Sequence, residues 1–149
     1  MREIGAKEVF RLRACLEALA EHHNQVSVHF KGAYPHRPYE ETLNSFSSAL
    51  ACGSSRIAVI EEQDTVIGFC KVDCNGADGK LDYLIVLPSC RGKGCGRQLL
   101  DWAMAAFEES GVRAIEVKVV DGNDAFSLYE KYGFRMNAHI LLRTRADKP

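Results

Sequence analysis

The spacing of apolar residues changes once along the chain, and the change separates a helical part from a strand part. Apolar residues recur every three or four positions over residues 6–22 and again over residues 39–50, which is typical of amphipathic helices. Residues 56–61, 65–72 and 81–87 are instead rich in β-branched and other apolar residues and are separated by turn residues. The pattern predicts two helices followed by an antiparallel meander of three strands.

Two turns connect the strands of this meander. The first comprises Glu62, Gln63 and Asp64, and the second spans residues 73–80, which contain two Asn/Asp-Gly pairs. Gly68 lies inside the second strand, where a glycine indicates a bulge or a close approach of another backbone. The meander is therefore predicted to be continuous and locally distorted near Gly68.

Helix and strand patterns alternate in the second half of the chain. A glycine-rich stretch precedes a helix that ends near residue 110, and residues 114–120 then alternate as a strand. A crossover helix of this length places that strand parallel to the last strand of the meander. Residues 124–132 form a short helix that Gly133 ends, and residues 140–142 centre a final strand. The order predicts one α/β (α+β) domain over residues 1–149, with helices on both faces of a mixed sheet of about six strands.

Composition and charge exclude several classes of protein. The chain has 149 residues, with 19 Lys and Arg against 20 Asp and Glu, so no overall field attracts a polyanion. Its apolar runs are far shorter than the roughly 20 residues that span a bilayer. A charged amphipathic segment follows Met1 directly, which is unlike a signal peptide. We therefore expect no nucleic-acid partner and no membrane partner.

Six cysteines raise the question of disulfides or a metal site. They occupy positions 15, 52, 70, 74, 90 and 95, mostly inside apolar periodic segments or the glycine-rich stretch. A chain of this length can bury a core without disulfides. Cys70 and Cys74 lie on a predicted strand, where four residues span about 13 Å, too far to share one metal ion. The cysteines are expected to be reduced, with no bound metal, in a cytoplasmic protein.

The glycine-rich stretch between strand and helix is the clearest chemical signal. Gly92, Gly94 and Gly96 alternate with other residues, so their backbone N–H groups are unobstructed just before a helix N-terminus. Arg91, Lys93 and Arg97 add positive charge. The spacing excludes a P-loop, because no Lys-Ser or Lys-Thr follows a glycine pair, and it misses the third glycine of the dinucleotide fingerprint. The stretch predicts a site for a phosphate or diphosphate.

Two motifs together resemble one family. The first is Arg91-x-x-Gly94-x-Gly96, preceded by Val86-Leu87-Pro88, which resembles the acyl-CoA pyrophosphate turn of GNAT N-acetyltransferases. The second is Asn123-Asp124-Ala125-Phe126-Ser127-Leu128-Tyr129-Glu130-Lys131-Tyr132-Gly133-Phe134, which resembles the segment that follows the fifth strand in the same family. The resemblance covers residues 56–134. It implies that the two parallel strands splay apart to admit the cofactor.

The resemblance also implies a cofactor site, with acetyl-CoA as co-substrate and no metal. Leu84, Ile85 and Val86 would bind the pantetheine arm through their backbone, and Asn123 would help to order it. Tyr129 would line the same site and protonate the departing thiolate. The diphosphate would lie on the glycine turn, whose residues are Arg91, Gly92, Lys93, Gly94, Cys95, Gly96 and Arg97.

Attack on a thioester requires a neutral amine and therefore a base. Asp82 lies on the same face of its strand as Leu84, at a position where some family members carry a base glutamate, and it is the candidate here. Glu116 on the neighbouring strand is an alternative. A covalent acyl-cysteine route through Cys95 is disfavoured, because Cys95 would lie at the phosphates and not at the thioester.

These residues favour an enzyme that transfers an acetyl group to a primary amine by direct attack in a ternary complex. A non-catalytic acyl-CoA-binding or regulatory module on the same fold is the alternative, and a nucleotide-binding enzyme is a distant third. The acceptor, a small molecule or a peptide, is expected between residues 22–38 and the C-terminal strand. The edge at residues 140–142 could pair with a second copy of the chain in a homodimer.

Overall fold

A five-stranded mixed sheet organises the protein, in a computed structural model that describes residues 1–145. The strands lie side by side in chain order, antiparallel up to the fourth and parallel between the fourth and fifth. Two 3₁₀ segments, Ala6–Leu12 and Pro88–Cys90, precede α1 and α3. The elements are β1 Arg2–Ile4, α1 Arg13–Val26, α2 Tyr39–Ala51, β2 Ser55–Glu62, β3 Thr65–Asn75, β4 Asp78–Val86, α3 Cys95–Ser110, β5 Ala114–Val117 and α4 Phe126–Glu130.

Each face of the sheet buries its own core. Alternation along β2 sends Ile57 and Val59 to the face covered by α1 and α2, while Ala58 and Ile60 face α3 and α4. On β3, Phe69 belongs to the first core, and Ile67 and Cys70 belong to the second. The sheet is therefore covered on both sides, as the sequence predicts.

The α3 helix buries one apolar stripe and is bounded by two glycines. Leu99, Leu100 and Phe107 are almost fully buried, at the spacing of a single helix face. Gly94 precedes the first turn with φ 82°, and Gly111 follows the last with φ 71°, both in the left-handed region that favours glycine. Within residues 1–145, no helix is both long enough and apolar enough to cross a bilayer.

The antiparallel turns follow their sequence signals. Gln63 and Asp64, with φ 50° and 62°, connect β2 to β3, and a two-residue turn containing Gly76 connects β3 to β4. The β2–β3 register shifts beside Gly68, where a bulge was predicted. A Cβ atom at Gly68 would lie 2.9 Å from the carbonyl oxygen of Ile85. Gly68 thus allows β4 to approach β3 closely.

The parallel strands separate part of the way along β4. Backbone pairing between β4 and β5 runs from Asp78 opposite Ala114 to Leu81 opposite Val117 and then stops. β4 continues to Val86, still paired with β3 on its other side. The predicted splay is therefore present, and five residues of β4 have no strand neighbour on the β5 side.

Several predicted elements differ from those observed. The strand predicted at residues 140–142 is wrong: Leu141 is 94% exposed, and the described residues contain five strands rather than six. An apolar run supplies β-propensity but cannot form a strand without a neighbouring backbone. The strand predicted over residues 114–120 ends at Val117, because β5 leaves β4 there. The short strand Arg2–Ile4 was missed, since three residues carry no periodicity.

The helices differ from their predictions mainly at their ends. The segment predicted as one helix over residues 6–22 is a 3₁₀ segment followed by α1, which extends to Val26. The short helix predicted over residues 124–132 is regular only from Phe126 to Glu130, although Gly133 follows it with φ 90°. The types and order of the predicted helices are confirmed.

Replacement of Gly68 by alanine tests the close approach of β3 and β4. The added Cβ would meet the Ile85 carbonyl, which is backbone and cannot move without shifting β4. We expect the free energy of unfolding in urea to fall by about 1–3 kcal/mol. Gly5→Ala is the matched control, because its Cβ would meet no atom within 4 Å. Equal stability of the two variants would contradict the close approach.

Candidate active site

A cavity of about 380 Å³ opens where β4 and β5 separate. Its two ends are named for the roles proposed for them: β4, the chain that follows β5 and α4 form the donor end, and α1 and the segment that connects α1 to α2 form the acceptor end. The residues that line it are Leu16, Leu19, Ala20, His23, Tyr34, Pro35, His36, Arg37, Tyr39, Thr42, Leu81, Asp82, Tyr83, Leu84, Val117, Lys118, Val119, Val120, Asn123, Ala125 and Tyr129.

The glycine turn lies directly after β4 and opens α3. Gly92 has φ 80°, a left-handed conformation that admits few other residues, and Arg91 Nε donates to the carbonyl oxygen of Val86 at 3.2 Å. The first intrahelical bond of α3 runs from Gln98 to Gly94, which leaves the preceding amides free to bind a ligand. A Cβ at Gly92, Gly94 or Gly96 would meet no protein atom within 4 Å.

These features fit the diphosphate of CoA. Open space faces unpaired amides, and the N-terminal end of a 16-residue helix points at it. Lys93 and Arg97 are exposed beside the turn and add positive charge. Cys95 begins α3 at this turn and is absent from the cavity lining, which agrees with the expectation that it lies away from the reacting thioester.

The splayed part of β4 offers backbone rather than side chains to a ligand. Leu84, Ile85 and Val86 pair with β3, and no strand of the described chain pairs with them on the other side. The side chains of Ile85 and Val86 are buried in the two cores, whereas Leu84 reaches the cavity. An extended amide-containing arm could therefore bind here as an added strand.

Tyr129 is placed at the donor end of the cavity by α4. Its side chain is only 6% exposed, and its ring packs edge to face on Phe134 with centroids 5.8 Å apart. Burial raises the pKa of the phenol, with a smaller contribution from Cys70, so the hydroxyl keeps its proton at neutral pH. Tyr132 in the next turn differs, because it is exposed there and donates to Asp101 at 2.6 Å.

Asn123 lines the same end of the cavity and also shapes the backbone before α4. Its side-chain oxygen accepts from the N–H of Ala125 at 3.1 Å, and its own N–H donates to Val120 at 2.9 Å. These bonds fix the turn that leads into α4. Asn123 therefore positions the helix that carries Tyr129.

The prediction that Asp82 shares a face of β4 with Leu84 is wrong, because the β3–β4 register shifts at Asp82. Its partner Lys71 lies over Phe46 of the core under α2, whereas Leu84 packs against the other core.

Asp82 still reaches the cavity, with both carboxylate oxygens engaged by lysines. Lys71 Nζ lies 2.7 Å from Oδ2, and Lys80 Nζ lies 3.4 Å from Oδ1. Lys71 is 4% exposed and also pairs with Asp73 at 2.6 Å. The alternative carboxylate, Glu116, is exposed on β5 and does not line the cavity. The structure thus brings Asp82, and not Glu116, to the site.

Rings crowd the acceptor end of the cavity. His23 and Tyr34 have centroids 5.1 Å apart, and Tyr34 stacks on His36 at 4.5 Å with an interplanar angle of 19°. Burial lowers the pKa of His23 to about 4, with smaller contributions from His22 and His36. Part of the segment predicted to face the substrate therefore lines this cavity, and its contact with a substrate stays a prediction.

Other residues of the site were missed or misplaced by sequence reasoning. The C-terminal strand was expected to form part of the acceptor pocket, but none of residues 134–145 lines the cavity. Lys71 was missed, although a lysine inside the apolar run of β3 could have indicated a buried ion pair. Leu16 and Leu19 of α1 also line the cavity, although the apolar spacing over residues 6–22 indicates only a packed helix face. Whether a side chain is buried, and which strand lies beside it, decides which residues line the cavity. The local spacing of residues does not determine either property.

The cysteines form neither a disulfide nor a metal site in the part of the chain that is described. All six are free thiols, and Cys70 and Cys74 both lie on β3, which extends to Asn75, beyond the end predicted at residue 72. Burial raises the pKa of the Cys15 and Cys70 thiols to about 12. No cluster of His, Cys, Asp or Glu side chains within residues 1–145 could hold a metal ion.

Comparison with known proteins identifies the family. The model of the acetyltransferase (GNAT) domain matches residues 53–136, more than half of the chain, and this range contains the glycine turn, Asp82 and Tyr129. The chain belongs to the GNAT acetyltransferase family. The predicted family, with its fold class, is confirmed.

Individual relatives show the same fold. A [ribosomal protein bS18]-alanine N-acetyltransferase from Haemophilus influenzae is 33% identical over 73 residues, which cover 49% of this chain and 50% of that protein. The chain therefore matches about half the length of this curated relative. A predicted acetyltransferase with acetyl-CoA from Clostridium acetobutylicum has a TM-score of 0.76 at 18% identity, covering 99% and 96% of the two chains. PaiA N-acetyltransferase from Thermoplasma acidophilum in complex with coenzyme A has a TM-score of 0.71 at 19% identity, covering 92% of each.

The lowered pKa of His23 predicts a pH dependence of stability. Unfolded histidine binds a proton near pH 6.5, whereas folded His23 stays neutral down to about pH 4. Unfolding takes up a proton between these values, so the stability that neutral His23 contributes is complete above about pH 6.5 and is lost as the pH falls toward 4.

Titration of the imidazole signals by NMR should show one histidine with a midpoint near pH 4. His23→Gln assigns that signal by its disappearance, and the variant should lose less stability in urea between pH 7 and pH 5 than the unmodified protein. A midpoint near 6.5 for the signal that the variant lacks would contradict the burial of His23.

Proposed function

We propose that this protein transfers an acetyl group from acetyl-CoA to a primary amine by direct attack in a ternary complex. The observation that carries the proposal is the splay of β4 and β5, which opens a cavity lined by Asp82 and Tyr129, while the glycine turn lies just beyond the end of β4. Membership of the GNAT family supports it. When bound, acetyl-CoA supplies a thioester carbonyl as the electrophile and a thiol as the leaving group.

The chain's own part in donor binding is electrostatic and backbone-mediated. The amides that open α3, together with Arg91, Lys93 and Arg97, hold the diphosphate. The backbone of Leu84, Ile85 and Val86 binds the pantetheine arm on the side of β4 that lacks a strand neighbour. Binding therefore fixes both ends of an extended molecule whose reactive end lies in the cavity.

Tyr129 supplies a proton from its phenol oxygen to the departing sulfur. The new bond joins the amine nitrogen to the acetyl carbon, the carbon–sulfur bond breaks, and its electron pair goes to the sulfur that takes the proton. Burial raises the pKa of the phenol, which keeps the proton available on Tyr129 at neutral pH, and the same burial disfavours an unprotonated thiolate leaving group. Tyr129 is the catalytic acid in this proposal.

Asp82 removes the proton from the attacking amine, directly or through a water molecule. Among the described residues that line the cavity it is the one carboxylate. Lys71 and Lys80 hold its two oxygens and so fix the orientation of the group, while its side chain remains partly exposed to the cavity. Glu116 is the less supported base because it lies outside the cavity lining.

The same fold could instead bind acyl-CoA without catalysis, as a regulatory module. Both functions need the glycine turn, but only the enzyme needs Tyr129 and a base. A homodimer and a cytoplasmic location stay predictions of the sequence, although the described residues form no strand at 140–142 to provide the expected edge. The chemistry of Tyr129 therefore distinguishes the two functions.

Replacement of Tyr129 by phenylalanine tests the assigned acid. The ring that packs on Phe134 is kept and only the oxygen is removed. With acetyl-CoA and the amine most rapidly acetylated in a panel of primary amines and alanine-initiated peptides, we expect kcat, measured as thiol release, to fall by about 10²-fold. The thermal stabilisation by excess acetyl-CoA should persist.

Tyr132→Phe is the matched control, since it removes an exposed phenol that bonds to Asp101 outside the cavity. Its kcat should stay within about twofold of the unmodified enzyme. Undiminished turnover by Tyr129→Phe would reject the acid. Stabilisation by acetyl-CoA with no thiol release from any amine would favour the non-catalytic module.

A further inference from the structure

The acceptor end of the cavity has a chemistry that neither the glycine turn nor Tyr129 defines. Its most prominent feature is the aromatic wall, formed by His23, Tyr34 and His36. Successive rings lie 5.1 and 4.5 Å apart between centroids, and the outer pair is stacked. Such a wall offers flat, polarisable faces on which another ring gains contact area and stacking energy.

Hydrogen bonds from α1 fix the position of the aromatic wall. The side-chain amide of Asn24 on α1 donates to the carbonyl oxygen of Tyr34 at 2.9 Å, and its oxygen accepts from the N–H of Tyr34 at 2.9 Å. This two-way bond ties the connecting segment to α1. A wall fixed before the acceptor arrives saves the entropy of ordering it, which favours selection by shape.

The floor beside the wall is apolar. Leu16, Leu19 and Ala20 of α1 line it, and Leu16 and Ala20 are otherwise buried in the protein. The whole cavity measures about 380 Å³ and is shared with the donor end. The remaining space suits a body of about one ring rather than a large polar molecule.

Charge at this end permits one ammonium group and opposes a second. Asp82 is the one acidic residue among those that line the described cavity, and Lys71 and Lys80 already pair with it. Arg37 lines the acceptor end, and its guanidinium donates to Ser45 Oγ of α2 at 3.3 Å, so a positive charge lies at this end. Lys118 adds a second cation to the lining, and burial keeps His23 uncharged at neutral pH.

We propose that the acceptor is a small primary monoamine carried on an aromatic body, which the aromatic wall binds and the charge of Arg37 separates from polycationic amines. The inference rests on the proposed acetyltransferase function and adds the class of its acceptor. The amine points toward Asp82 and the ring lies between the wall and the α1 floor.

An acceptor panel tests the class. The full chain is assayed with acetyl-CoA and either 2-phenylethylamine, phenylalanine, spermidine, kanamycin or a peptide with N-terminal alanine, by thiol release. We expect kcat/KM for 2-phenylethylamine or phenylalanine to exceed that for spermidine and kanamycin by at least tenfold. A preference for phenylalanine would support the class and indicate that Arg37 binds the carboxylate of phenylalanine. A preference for 2-phenylethylamine would support the class without a contact between Arg37 and a carboxylate.

Two variants test the residues. Tyr34→Ala should raise KM for the aromatic amine about tenfold while acetyl-CoA still raises Tm. His29→Ala is the matched control, because His29 is exposed in the same segment and does not line the cavity. Arg37→Gln should raise kcat/KM for spermidine relative to 2-phenylethylamine by about tenfold. Because Arg37 is exposed, this readout stays informative if Tyr34→Ala does not fold.

The outcomes separate this inference from the proposed function. Faster turnover of spermidine, kanamycin or the alanine peptide than of both aromatic amines would overturn the acceptor class and leave the acetyltransferase standing. An unchanged KM in a folded Tyr34→Ala variant, or an unchanged preference in Arg37→Gln, would overturn the role of that residue and with it the inference. Absence of thiol release from every amine would overturn the inference and the proposed function together.

Discussion

A backbone that loses its strand partner must find other hydrogen bonds, and this constraint governs the site. β4 pairs with β3 from Asp78 to Val86, except at the bulge formed by Asp82, but with β5 only as far as Leu81. The remaining residues of β4 therefore present backbone groups to a cavity instead of to a strand. The glycine turn follows the end of this unpaired edge. The backbone groups of β4 that lack a strand partner and the free amides at the start of α3 therefore form one continuous surface. An extended ligand with amides along its length and an anionic end matches that surface.

The polar chemistry of the site depends on the burial of Lys71. A lysine at 4% exposure requires counter-charges, and Asp73 and Asp82 supply them from two strands. Asp73 also accepts from Ser55 Oγ, so the network extends across β2, β3 and β4. The ammonium lies 5.1 Å from the ring centroid of Phe46, in the core between the sheet and α2. The orientation of Asp82 is thus determined by packing on the face of the sheet opposite α3.

Local sequence predicted most of the fold because the decisive signals were local. Period, turn residues and the glycines around α3 define which elements form, and two motifs on neighbouring elements indicated the family. What sequence reasoning missed depends on distant neighbours. Residues 140–142 are apolar enough for a strand but have no partner, and Arg2–Ile4 is too short to show a period yet pairs with β2. The buried lysine and the aromatic wall follow from tertiary contacts between segments that spacing alone does not bring together.

Hydrogen–deuterium exchange of the full chain, with and without acetyl-CoA, tests the central claim most directly. If the donor binds along the splay, the amides of residues 83–86 that face away from β3, and those of residues 94–97, should exchange at least about tenfold more slowly with acetyl-CoA, because they become bonded to the ligand. The turn between β2 and β3 should exchange at the same rate in both conditions. Unchanged exchange of all amides in residues 83–86 while acetyl-CoA is bound would contradict the account.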